Sequence, residues 1–228
     1  MDATFATGAE FVEGMRSYLA GGDTAGLVRY LEQRWPRATL VLMLNSPDIS
    51  VVKASIVCLE LQGAMSDTPA LARLLHHQDI EVVSLAENAL WSIWLRAGNR
   101  EAGSLLARAI EAMNEKAFRR ATNLLDRAIR LQPGFAEAYN QRAFAWYLSE
   151  KYLRSVADCR RALALNPWHF GAAAGLGHCF AHLGLYERAL DAYHAALKLH
   201  PRMEGVRTAI RQIRGILNEA NARSRGYD

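Results

Sequence analysis

Several absences narrow the reading before any pattern is sought. Cysteine is scarce: Cys58, Cys159 and Cys179 are odd in number, far apart, and include no C-x-x-C pair. They suit small buried apolar residues better than a disulfide frame. No apolar run reaches the roughly 18 residues a membrane helix needs. Met1-Asp-Ala-Thr-Phe5 lacks a basic stretch leading into an apolar one, so no secretory leader is expected and a cytoplasmic location is the default. Neither sign of charge dominates, with 27 Lys and Arg against 23 Asp and Glu, a net charge of +4. A dedicated nucleic-acid binder gathers its basic residues on one face. Here they are interleaved with acidic ones, and only the last stretch, with Arg207, Arg211 and Arg214, is locally arginine-rich.

The motifs of catalysis are missing too. There is no G-x-S-x-G elbow, and Gly175-Leu-Gly177 falls inside a helical stretch rather than in a phosphate-cradling loop. Pairs such as Glu111/Glu115 and Glu187/Asp191 have the spacing of helix-surface charges, suited to solvent or to ion pairs with Arg108 or Arg188. A non-catalytic protein without a cofactor is therefore expected.

What is present is a repeat. Pro133, Pro167 and Pro201 are 34 residues apart, as are Ala128, Ala162 and Ala196, and Phe118, Tyr152 and Tyr186. Small residues recur at Ala109, Ala143 and Gly177 and again at Ala121, Ser155 and Ala189, with large ones between, such as Leu105, Tyr139, Trp146 and Tyr193. A fixed period of this length implies stacked helical hairpins, small residues marking where helices cross. The pattern resembles the tetratricopeptide repeat (TPR), with units at about 102–135, 136–169 and 170–203. Unit one is atypical, carrying Lys116-Ala117 in place of a glycine-containing turn. After Pro201, residues 204–222 give an amphipathic capping helix with Val206, Ile210, Ile213 and Leu217 as its buried stripe. Fraying is expected in the tail, 222–228.

A fainter period of 31 runs through residues 37–98. Leu40 answers Leu71, Leu44 answers Leu75, Asp48 answers Asp79, Ile49 answers Ile80, and Leu59 answers Leu90. Each unit reads as a short helix, a polar turn and a longer helix. This resembles HEAT repeats, closest to the short type seen in phycobilisome-lyase relatives. Before it, residues 1–36 read as two capping helices, with Phe11, Met15, Tyr18 and Leu19 at helical spacing in the first. Gly21-Gly22 ends that helix, Asp23 or Thr24 caps the second, and Pro36 stops it. Trp91 and Trp94 are expected to be core, and Gly98-Asn99 marks the boundary with the second repeat. The whole is expected to be an all-α, right-handed α-solenoid.

The TPR resemblance implies a concave groove lined by the first helix of each hairpin. Carried over by position, the lining is Leu106, Ile110 and Met113 in unit one. In unit two it is Asn140, Phe144, Tyr147 and Leu148, and in unit three Ala174, His178, Ala181 and His182. Phe144 and Tyr147 would anchor a protein or peptide segment, with Asn140, His178 and His182 giving directional contacts. The carboxylate clamp by which some TPR proteins hold chaperone tails is absent, since its positions hold Leu106, Ile110, Gln141, Gly171 and Gly175. His178 and His182 stand four apart, a spacing that suits a metal, but no third ligand is named by the sequence and none is assigned. His76-His77 fits the negative end of a helix. The alternatives are an accessory lyase or chaperone-like factor for a pigment or cofactor protein, and a weak nucleic-acid binder acting through the last helix. Self-association through the HEAT-like end stays open.

Overall fold

The structure, a computed structural model, describes residues 7–225, and every regular element among them is helical. The chain forms two compact units, one ending at Trp94 and the other beginning at Leu95. No helix among the described residues is long and apolar enough to cross a membrane.

The first unit contains α1 (Thr7–Gly21), α2 (Thr24–Arg34), α3 (Arg37–Met43), α4 (Ile49–Gln62), α5 (Thr68–Leu74) and most of α6 (Ile80–Arg96). The 31-residue spacing holds at the level of helices: α3 and α5 have the same length and start 31 residues apart, as do the starts of α4 and α6. Leu40, Leu59, Leu71 and Leu90 are all fully buried, whereas Ile49 and Ile80 both face solvent. Side chains fix the turns. Asp23 accepts a hydrogen bond from the Gly26 amide, Asp48 from Ser50, and Asp79 from Glu81, so the donors left over at each helix start are satisfied. Lys53 of α4 reaches Asp79 at 2.9 Å and Glu81 at 2.5 Å, joining successive hairpins. Phe11, Met15 and Tyr18 of α1 are at least partly buried, and the side chains of Leu19 and Thr24 lie outside the described set. Trp94 is buried, donates to Thr68 Oγ1 at 3.3 Å and meets Trp91 edge to face. His77 follows the end of α5, its amide donating to the Leu74 carbonyl at 3.0 Å. Its Nδ1 accepts the Asp79 amide at 3.0 Å and so helps shape the next turn.

The second unit holds α7 (Arg100–Asn114), α8 (Phe118–Leu131), α9 (Ala136–Leu148), α10 (Tyr152–Leu165), α11 (Phe170–His182), α12 (Tyr186–Leu199) and α13 (Glu204–Arg225). The second helices, α8, α10 and α12, start and stop at positions 34 apart. Each first helix ends in a Schellman motif. The Ala117, Lys151 and Leu185 amides return to the carbonyls of Ala112, Trp146 and Phe180 at 2.8, 2.8 and 2.9 Å. That closure puts the preceding residue in the left-handed region: Lys116 at φ 59°, Glu150 at φ 57° and Gly184 at φ 71°. The sequence supplies the favoured glycine only in the third hairpin.

Small and large residues compensate across each hairpin. Ala109 faces the unit whose core includes Leu125; in the third hairpin Tyr193 takes the equivalent place of Leu125 and Gly177 that of Ala109. A methyl group on Gly177 would lie 2.4 Å from the Tyr193 ring, so only glycine permits this packing. Helix α13 closes the stack: Val206, Ile210 and Ile213 are buried in the same cluster as Tyr193, and Leu217 is half-buried against it. The helix runs on to Arg225, beyond the expected end at 222, and residues 226–228 lie outside the described range.

Candidate functional site

The positions expected to line a groove in the last two hairpins lie on α9 and α11 of the second unit. Phe144 and Leu148 project from α9, 50% and 38% exposed. One turn from Phe144, the Tyr147 hydroxyl lies 2.9 Å from His182 Nε2 on α11. The His182 ring also stacks on Tyr152 at 4.7 Å, so α9, α10 and α11 share one aromatic cluster. Beside it His178 Nδ1 is 2.7 Å from the Tyr193 hydroxyl. Burial, and then the neighbouring His182, hold the His178 pKa below its usual value, while burial pushes Tyr193 up to about 12. At neutral pH both groups are therefore uncharged, and one donates to the other across this contact.

Between these residues and α13 lies an open cavity of about 530 Å³. Its floor is His178, Ala181 and His182, and its far wall includes Thr208, Gln212 and Ile216 of α13. The capping helix thus lines this cavity together with α11. Its groove side, including the 45% exposed Ile216, was not singled out from the sequence. The signal was available: Thr208, Gln212 and Ile216 stand 34 residues after Ala174, His178 and His182. No Lys, Arg, Asp or Glu among the described residues lines this cavity.

Three expected lining residues are not on the groove surface. Leu106 and Met113 are 2% and 7% exposed and share a core cluster with Ala138 and Ala145, because α9 rests its alanine face on them. Ala174 is 6% exposed in the cluster against which Tyr147 packs, a single methyl being too short to emerge past larger neighbours. Ile110 is half-buried against the first cluster. Asn140 is half-buried and donates to Glu137 Oε1 at 3.2 Å, so it serves that carboxylate first. Phe144, Tyr147, Leu148, His178, Ala181 and His182 are brought to one face. Each histidine is committed to a tyrosine, and no group of three metal-ligating side chains occurs among the described residues.

Two buried polar networks set the groove helices in register. Glu137 and His169, both with no side-chain exposure, meet at 2.8 Å. Glu137 also accepts from Gln141 at 2.6 Å, and His169 Nδ1 caps α11 by accepting the Ala172 amide. Arg142 of α9 forks onto Asp158 of α10 at 2.7 and 2.8 Å and reaches Asp126 of α8 at 2.6 Å. Burial lowers the Arg142 pKa, but the bonds to Asp158 and then Asp126 outweigh it, and the guanidinium stays charged.

Charge is distributed otherwise than the sequence suggests. In α13, Arg207 is spent on the Pro201 carbonyl and Arg211 on Glu204. Glu115 pairs with Arg120, not Arg108. A basic cluster lies instead around the turn from α7 to α8, assembled from Arg108, Lys116, Arg119, Arg120 and Arg127. These residues are spread over twenty positions with acidic ones between, which hid them in the linear chain.

This architecture defines a helical-repeat protein whose second unit has the tetratricopeptide-repeat fold. Among solved structures, the TPR domain of Sgt2 from Aspergillus fumigatus superposes with a TM-score of 0.53 at 20% identity, covering 55% of this chain and 84% of that one. The first TPR of Spaghetti (RPAP3), bound to an HSP90 peptide, SRMEEVD, gives 0.51 at 22% identity, covering 52% and 94%. In sequence, a TPR repeat-containing protein of Rhizobium etli is 30% identical over 130 residues, which is 57% of this chain and 64% of the relative. The small glutamine-rich tetratricopeptide repeat-containing protein 2 of Mycosarcoma maydis is 27% identical, over 46% of this chain and 30% of its own length. The chain thus spans less than two thirds of these curated relatives. No family model matches it.

Proposed function

We propose that this chain is a non-catalytic scaffold that grips a protein or peptide segment in the groove of α9, α11 and α13. The observation that carries this is a set of exposed apolar side chains, Phe144 and Leu148 on α9 and Ile216 on α13, the last lining with His178 and His182 a cavity that no described charged residue enters. Exposed apolar groups gathered in a groove mark an interaction surface more often than singly scattered ones do. The preferred segment presents an apolar side chain to Phe144 and backbone carbonyls to His178. A chaperone tail such as SRMEEVD is disfavoured, because the clamp positions carry no cation: Leu106 is buried and Gln141 is bound to Glu137. The first unit, with its 31-residue hairpins, we read as HEAT-like and as a further scaffold element. Nothing in the site favours pigment-lyase chemistry, and the engagement of Arg207 by Pro201 and of Arg211 by Glu204 argues against nucleic acid on α13.

Tyr147 packs on the core and bonds His182, so truncating it mixes stability with recognition. The cleaner probe is Phe144→Ala with Leu148→Ala. Affinity capture from native lysate should lose its specific partner while the melting temperature stays within about 2 °C, as expected for surface substitutions. Unchanged capture by a folded variant would refute the groove reading.

A further inference from the structure

The basic cluster belongs to a surface separate from the groove. A cleft of about 780 Å³ opens at the α7–α8 turn, with Arg108, Lys116, Arg119, Arg120 and Arg127 around it and no carboxylate among its lining residues. Only Arg120 has an acidic partner, Glu115 at 3.3 Å; Arg108, Lys116, Arg119 and Arg127 form no ion pair within the described chain. A second cleft of about 410 Å³ shares Phe118, Arg119 and Asn123 with the first and continues to Lys151 and Arg154 on the next hairpin; its one carboxylate, Asp126, is held by Arg142 at 2.6 Å. Holding so many like charges together raises the local potential, and an anionic partner relieves it.

We propose that this double cleft is the docking site for an acidic peptide segment of a protein partner. Two features choose peptide over nucleic acid. First, the cleft floor is carbon, from Ala117, Phe118 and Leu124, which suits an apolar side chain flanked by carboxylates. Second, single strands bind such sites by stacking bases on free aromatic faces. Trp146 offers none, since Lys151 and Arg154 cover its ring at 5.0 and 4.9 Å from the centroid. Phe118 is half-buried. The guanidinium forks of Arg119 and Arg127 match carboxylates in pairs, and Asn123 adds neutral donors between them.

The test uses the full chain and three fluorescein-labelled probes: a Glu-rich decapeptide with a central Leu, the same peptide with Gln for Glu, and a uridine dodecanucleotide. Anisotropy should show binding of the acidic peptide only. Its affinity should fall at least about tenfold between 50 and 500 mM salt, as screening shortens the reach of the charges. It should fall by a similar factor in Arg119→Glu/Arg127→Glu, with far-UV circular dichroism unchanged. Phe144→Ala/Leu148→Ala should bind the acidic peptide like the parent, which separates this site from the groove. Absence of binding, equal binding by the charge-reversed variant, or tighter binding of the oligonucleotide would each overturn the proposal.

Discussion

The two units build hairpins of nearly the same length by different local means. In the first, each turn is tied by a side chain: Asp23, Asp48 and Asp79 cap the helices that follow them, and Lys53 bridges hairpins to Asp79. In the second, α8, α10 and α12 begin without a side-chain cap, and backbone closure in the left-handed region makes the turn. Register there comes from size complementarity and from polar groups buried between helices. Exposed caps are local and tolerate change, whereas buried networks couple neighbouring hairpins. The stability of the second unit should therefore be concentrated in few residues and that of the first spread over many.

The largest test of that difference is Glu137→Ala. It strips His169, Gln141 and Asn140 of a shared acceptor in a site with no exposure, and should cost about 3 kcal/mol. Hydrogen exchange should lose protection across α9 to α11 while α1 to α5 keep theirs. Uniform loss in both units would show that they unfold as one. Gly177→Ala should cost about 2 kcal/mol through overpacking against Tyr193. Adding Tyr193→Leu recreates the first hairpin's Ala109 and Leu125 pairing, and should recover at least half of that loss in a denaturation double-mutant cycle. Asp79→Ala in the first unit should cost only about 1 kcal/mol, the worth of an exposed helix cap. A cost near that of Glu137→Ala would erase the contrast.

Both periods were legible because each hairpin must bury the same face, and a buried face writes itself into the sequence at fixed spacing. Leu40, Leu71, Ala128 and Ala162 are examples where pattern and burial coincide. Capping by Asp23 and the end of α2 at Pro36 were legible for the same local reason. The groove was legible only in part. Position in the repeat pointed to Phe144 and Leu148, which are exposed, and to His178 and His182, which line the cavity beside α13, but it could not tell that α9 would lay small residues over Leu106 and Met113, which depends on the neighbour's side-chain sizes. It also said nothing of Arg142, a half-buried guanidinium whose charge is met by Asp126 and Asp158 from two other helices. The basic cleft was hidden likewise, since hairpin folding gathers Arg108 and Arg127 from separate helices while Glu111 is left out of its lining and Asp126 is tied to Arg142.

The smallest expected effect isolates the backbone device itself. Lys116, Glu150 and Gly184 occupy one place in three successive turns, all at positive φ, and only glycine sits there without a Cβ clash. Relief of that clash is worth about 1 kcal/mol, but glycine also gives the unfolded chain more freedom, which returns roughly half. Lys116→Gly and Glu150→Gly should therefore each stabilise by about 0.5 kcal/mol, and Gly184→Ala should destabilise by about 1 kcal/mol with no steric contribution, since nothing lies within 4 Å of the added methyl. Urea midpoints resolve differences of this size when the slope is unchanged. If the two glycine variants were instead destabilised, the turns would be held by side-chain contacts of Lys116 and Glu150, and the second unit would then resemble the first in how its hairpins close.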